Sequence, residues 1–133
     1  MVSYNLDTSI LLDAYEKRGE NGEQAIKLIL KLIERNSTII LSDIHIKELK
    51  DLGYSLDEIN SIFSIFKLAK IKKVHINRKQ LEESRRLALQ KNIPKGDILH
   101  AILSRDNEAI MISRDKHFEI LKFIDTKTPE DLL

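Results

Sequence analysis

A chain of 133 residues lies near the commonest domain size and should bury roughly two thirds of its unfolded surface, so a single domain over residues 1–133 is expected. Apolar residues at 42% and charged residues at 32% are ordinary for a globular protein and argue against a disordered chain. The 22 Lys and Arg against 21 Asp and Glu leave a net charge of +1, so composition supplies no strong grip on nucleic acid.

The lack of cysteine excludes disulfides, thiolate zinc sites and cysteine nucleophiles, and leaves any metal to oxygen or imidazole donors. No apolar run approaches about 18 residues, and no charged start leads into an apolar stretch with a cleavage site. No membrane partner is therefore expected, and a cytoplasmic location follows by elimination.

Val2 to Leu6 reads as a strand, and Ser9 to Lys17 as a helix opened by the hydroxyl of Thr8 or Ser9. Next, Ile26, Ile29, Leu30 and Ile33 share one helical face and Lys27, Lys31, Glu34 and Arg35 the other. The β-branched run from Ser37 to Leu41 suits a buried parallel strand, with a helix from about Asp43 to Asp51 after it, broken by Gly53. Ser55 and Glu58 form a capping box ahead of a helix whose Ile59, Ile62, Phe63 and Phe66 recur at helical spacing.

Val74 to Ile76 is a third strand candidate, and Asn77 with Gln80 begins a fifth helix that Ile93 to Gly96 interrupts, so that Asp97 opens another. Ala109 to Ser113 reads as a fourth strand and Lys122 to Ile124 as a fifth. A final short helix is signalled by Thr128 as cap and Pro129 in its first turn. Strands alternating with helices imply an α/β fold: a three-layer α/β/α sandwich around a parallel sheet of four to five strands, since parallel neighbours need crossover connections.

Ligands of open parallel sheets bind beyond the carboxyl ends of the strands. Asp7 follows the first strand, Asp115 the fourth, Glu48 lies about two turns into the helix after the second, and Asp97 sits at a helix start after Gly96, read here as a tight backbone step. Taken singly, an acid at a helix start usually serves as a cap. Gathered, two carboxylates 4 Å apart repel by roughly 4 kcal/mol at an effective dielectric of about 20, so the set needs a cation. An all-oxygen site suits Mg²⁺ or Mn²⁺, and such an ion activates water and neutralises charge on a phosphodiester. Metal-dependent phosphodiester hydrolysis is the chemistry that follows.

The order Asp7, Glu48, Asp97, Asp115, with LDTSILLD at residues 6 to 13 and ISRDKHF at residues 112 to 118, resembles the PIN-domain family over nearly the whole chain. The resemblance implies an α/β/α sandwich whose four acids bind Mg²⁺ or Mn²⁺ and cut RNA, often as the toxin of a VapBC-type toxin–antitoxin pair. It assigns catalytic and metal-binding roles to Asp7, Glu48, Asp97 and Asp115, and a supporting role to Ser113 in place of the family's hydroxyl residue. RNA as substrate, an antitoxin partner and a homodimer are its further implications. The apolar faces of Leu28 to Leu32 and Ile59 to Phe66 also look larger than a small core needs.

A polyanion needs positive charge at the rim, and Lys95 and Arg114 are the candidates for substrate binding. His45, His75, His100 and His117 lack zinc-helix spacing and read as structural or surface. His100, one turn past Asp97, is placed to orient it or to touch a phosphate. Asp13 reads as a solvated helix position, and Phe63 and Phe66 as core. The alternative function is a non-catalytic PIN-like module that binds RNA or protein. A phosphorylation receiver fits worse, because Asp7 stands alone after its strand and VHIN, at residues 74 to 77, carries no acid.

Overall fold

Five short strands, β1 (Ser3–Leu6), β2 (Thr38–Ser42), β3 (Lys70–Val74), β4 (Ala109–Ile112) and β5 (Thr126–Lys127), line up as β3-β2-β1-β4-β5 with every pairing parallel. The computed structural model describes residues 2–133. Between the strands run α1 (Thr8–Glu16), α2 (Gly19–Glu34), α3 (Asp43–Asp51), α4 (Leu56–Phe63), α5 (Arg78–Lys91), α6 (Lys95–Asp106) and α7 (His117–Ile120), with 3₁₀ turns at Ser64–Phe66 and Pro129–Leu132. Among the described residues no helix is long and apolar enough to cross a membrane.

Strand alternation divides the core into the two halves of a sandwich. Tyr4 and Leu6 of β1, Ile39 and Leu41 of β2 and Ile112 of β4 face a cluster built with Leu11, Leu28, Leu32, Ile59, Ile62 and Phe66 from α1, α2, α4 and the first 3₁₀ turn. The residues between them face the opposite way: Ile40 and Ala109 meet Leu99 and Leu103, and Met111 meets Ile98, Ile102 and Phe118. The apolar faces of Leu28 to Leu32 and Ile59 to Phe66 are thus largely consumed inside one chain. The buried stripe of α2 runs through Ala25, Leu28, Ile29 and Leu32, while Leu30, expected to share it, is 61% exposed. At the joint of α1 and α2, a side chain on Gly22 would meet Asp13 O at 2.8 Å, so the close approach of the two helices requires glycine.

Several boundaries differ from the sequence reading for identifiable reasons. β3 is Lys70–Val74 rather than 74–76, and all of it but Val74 is exposed. It is an edge strand, and lysines on edges hide the apolar pattern that marks interior strands. β5 is only Thr126–Lys127; Phe123 and Ile124, expected in a strand, pack as partly buried residues beside Phe118, with Arg105 5.3 Å over the Phe123 ring. Helix α1 begins at Thr8 with Asp7 as its flanking residue, and helix α6 begins at Lys95, two residues ahead of Asp97. The capping pairs Ser55 with Glu58 and Asn77 with Gln80 form reciprocal hydrogen bonds as expected, and Thr128 caps a 3₁₀ turn.

From β1 the chain winds outward through β2 to β3, then crosses to the other side of β1 to make β4 and β5. The carboxyl ends of β1 and β4 therefore flank a switch point, where the connecting loops part and leave a crevice.

Candidate metal and nucleic-acid site

Asp7 and Ser113 are the first residues beyond β1 and β4, brought level by the pairing of Leu6 with Ile112 and by the bond from Asp7 N–H to Ile112 O at 2.9 Å. Asp7 occupies the cap position of α1 yet makes no side-chain capping bond. Its Oδ2 instead accepts from Ser113 Oγ at 2.7 Å, and the same Ser113 oxygen accepts from Asp115 N–H at 2.9 Å. One buried hydroxyl thus fixes both acids.

Glu48 arrives from α3 and Asp97 from α6. Thr8 and His100 both donate to Glu48 Oε1, at 2.8 and 2.5 Å. The Thr8 hydroxyl, expected to open a helix, is used here instead. Burial works against the charged form of Glu48, but the bonds from His100 and Thr8 outweigh it and hold the carboxyl below its ordinary range. Asp97 behaves in the opposite way. Burial raises it, and the charges of Asp115 and Asp7 push it further, against a hydrogen bond from His117 that favours ionisation.

An open cavity of about 580 Å³ is lined by Asp7, Glu48, Asp97 and Asp115 together with Thr8, Ser9 and Arg18. Two of its lining acids, Asp97 and Asp115, form a close set with His117, each offering one ligand atom with all three atoms within 4.8 Å of one another. Asp7 joins this set through Ser113 and through its charge on Asp97, and Glu48 closes the cavity from the α3 side. The donor set is mostly hard oxygen, and the mutual repulsion that burdens Asp97 is what a divalent cation relieves, so these residues fit such an ion.

Three residues, two of them polar, behave otherwise than the sequence suggests. His100 is fully buried and bonds Glu48, not Asp97, because α6 turns this residue inward toward α3. Asp13 is only 9% exposed, held by Arg114 at 3.4 Å and Arg18 at 3.7 Å. Gly96 lies inside α6 without a left-handed backbone; what it provides is space, since a Cβ there would stand 3.1 Å from Glu48 Oε2.

Beneath the site, His45 accepts Ser42 N–H on Nδ1 and donates from Nε2 to Leu6 O at 2.6 Å, with its ring edge-on to His100 at 4.8 Å. Those bonds assign a neutral ring, and burial together with the neighbouring His100 lowers its pKa to about 3. His117, half-exposed at the start of α7, is the site residue that sequence spacing concealed. Its proximity to Asp115 was visible in SRDKHF, but its bond to Asp97 depends on the packing of α6 against the β4–α7 loop.

The expected substrate cations differ in freedom. Lys95 is exposed and lines a second cavity of about 430 Å³ that shares Glu48, Asp51 and Asp97 with the first. Arg114 directs its guanidinium to Asp13 and Glu130 and lines neither cavity. Arg18 lines the first cavity while pairing with Glu16.

The fold has relatives among known proteins. Similar solved structures include VapBC2 from Rickettsia felis bound to a promoter DNA fragment (TM-score 0.71, 21% identity, 96% of this chain and 98% of that one). VapBC-1 from nontypeable Haemophilus influenzae is also similar (TM-score 0.69, 17% identity, 97% and 99%), as is a toxin–antitoxin complex from Klebsiella pneumoniae (TM-score 0.63, 18% identity, 95% and 97%). No curated protein sequence is a match. The family model of the PIN domain matches residues 4–124, and the chain belongs to the PIN domain family.

Proposed function

We propose that this protein is an endoribonuclease that hydrolyses RNA phosphodiester bonds with Mg²⁺ or Mn²⁺ held by Asp7, Glu48, Asp97 and Asp115, and that it is the toxin of a toxin–antitoxin pair. The observation that carries the reading is the convergence of four acids from separate segments on one open cavity at the sheet's switch point. Membership of the PIN family supports nuclease chemistry, and the complexes named above support an antitoxin partner. A homodimer is part of the same proposal by analogy alone.

Bound there, a divalent ion supplies charge neutralisation at the scissile phosphate and lowers the pKa of water toward neutrality. The protein's own part is preorganisation. Ser113 fixes the spacing of Asp7 and Asp115, Thr8 and His100 aim Glu48, and Lys95 stands where the phosphate backbone of an RNA would cross from one cavity to the next.

The test is cleavage of single-stranded and structured RNA with and without EDTA, followed by return of Mg²⁺ or Mn²⁺. Cleavage should stop with EDTA and resume with metal. Asp7→Asn should cut activity by more than about 100-fold, beyond the effect of losing a merely supporting residue. Equal cleavage by Asp7→Asn overturns the proposal. RNA binding without cleavage, unaltered by EDTA or Asp97→Asn, would instead identify a non-catalytic module.

A further inference from the structure

His117 stands where a third ligand would stand. Its Nδ1 lies 2.9 Å from Asp97 Oδ2 and 3.3 Å from Asp115 Oδ1, and its backbone N–H donates to Asp115 Oδ1 at 2.9 Å. The backbone bond closes a two-residue turn that anchors the imidazole to the same segment as Asp115. With its side chain 43% exposed and those of Asp97 and Asp115 at 17% and 41%, the three groups are open to solvent at the edge of the cavity that Asp97 and Asp115 line. In this structure Nδ1–H donates to Asp97 Oδ2; a cation bound between the two carboxylates would displace that proton to solvent, leaving the ring protonated on Nε2 and its Nδ1 lone pair directed at the ion.

We infer that His117 is a metal ligand, and that its imidazole makes the Asp97–Asp115–His117 group a site for Mn²⁺ in preference to Mg²⁺. The reason lies in donor chemistry. Carboxylates alone serve Mg²⁺ and Mn²⁺ alike, whereas an imidazole nitrogen favours first-row transition ions, and Mg²⁺ binds through oxygen and retained water. The inference rests on the proposed cation site but not on RNA hydrolysis: metal binding without cleavage would end the nuclease reading and leave this one intact.

The experiment is calorimetric titration of the intact chain with Mn²⁺ and, separately, Mg²⁺, for the wild type and His117→Ala, with electron spin echo spectra of the Mn²⁺-loaded proteins. The wild type should bind Mn²⁺ at least tenfold more tightly than Mg²⁺ and show nitrogen modulation from a coordinated imidazole. His117→Ala should lose most of that preference and the nitrogen signal, with Mg²⁺ binding changed less than threefold. Thermal unfolding of the variant checks that it is folded, and His117→Gln, which keeps size without the imidazole, serves if it is not. Equal loss of both ions, unchanged Mn²⁺ affinity, a persistent nitrogen signal, or no binding by the wild type each overturns the inference.

Discussion

His100 Nε2 lies 2.5 Å from Glu48 Oε1, so a wholly enclosed imidazole holds a carboxylate that reaches the cavity. Thr8 donates to the same oxygen, which leaves Oε2 on the side of Gly96. Replacing His100 with Leu should release one of the two restraints and lower divalent-ion affinity by about 10- to 100-fold, the usual effect of losing a group that orients a ligand. Stability should change by less than about 1 kcal/mol, because the lost bond is offset by removal of a buried Nδ1 that has no partner. Metal titration beside urea unfolding checks both, and undiminished affinity would remove His100 from the site.

Gly96→Ala should separate stability from binding in the opposite way. Alanine favours a helix over glycine by up to about 1 kcal/mol, so unfolding should shift slightly toward greater stability. The new methyl would stand 3.1 Å from Glu48 Oε2, and Glu48 has little freedom to retreat while His100 and Thr8 hold its other oxygen. Metal affinity and RNA cleavage should fall together in a protein at least as stable as the wild type. A variant that binds metal normally would show that Glu48 yields, or that its Oε2 takes no part.

The contrast between these two residues shows what a sequence displays and what it hides. Interior strands β1, β2 and β4 declare themselves through apolar runs, and acids just past such runs, Asp7 and Asp115, are legible because topology alone sends strand ends to one edge. Edge strands are not legible in this way: β3 is written mostly in lysine and β5 is two residues long. The partners of the acids are harder still. His100 lies three residues after Asp97 yet serves Glu48, which is 52 positions away in the chain. Asp13 looks like an ordinary helix-surface acid until Arg114, 101 positions distant, folds over it. Such pairings come from how helices pack across the sheet, and local spacing carries no trace of them.

Lys95 and Arg114 should part company under mutation. Lys95 is exposed at the start of α6 beside the carboxylates, so Lys95→Ala should weaken RNA binding and flatten its salt dependence by roughly one counterion, with stability unchanged. Arg114→Ala should leave the nearly buried Asp13 facing only Arg18 at 3.7 Å. The cost of an underpaired acid at such a position is about 1–3 kcal/mol. Filter binding across a salt series and denaturant unfolding distinguish the two. Loss of RNA affinity without destabilisation in Arg114→Ala would return that residue to the substrate surface.

His45 should make the fold sensitive to mild acid. Its pKa falls from 6.5 to about 3, through burial first and then the neighbouring His100, while the Leu6 carbonyl and the charge of Glu48 pull weakly the other way. Between those values the unfolded chain binds a proton at this ring that the folded chain refuses. Stability from this residue is therefore fully present above pH 6.5 and declines as pH falls toward 3, by about 1.4 kcal/mol per pH unit at the steepest. His45→Gln retains an acceptor for Ser42 N–H, as Gln does in an ordinary capping box, but cannot titrate. Urea unfolding at intervals from pH 8 to pH 4 should give a steeper loss for the wild type than for His45→Gln, with the other acids cancelling in the difference. Parallel profiles would mean that Nδ1 takes up its proton within the folded chain despite the Ser42 N–H that faces it, and that the ring's burial carries no such cost.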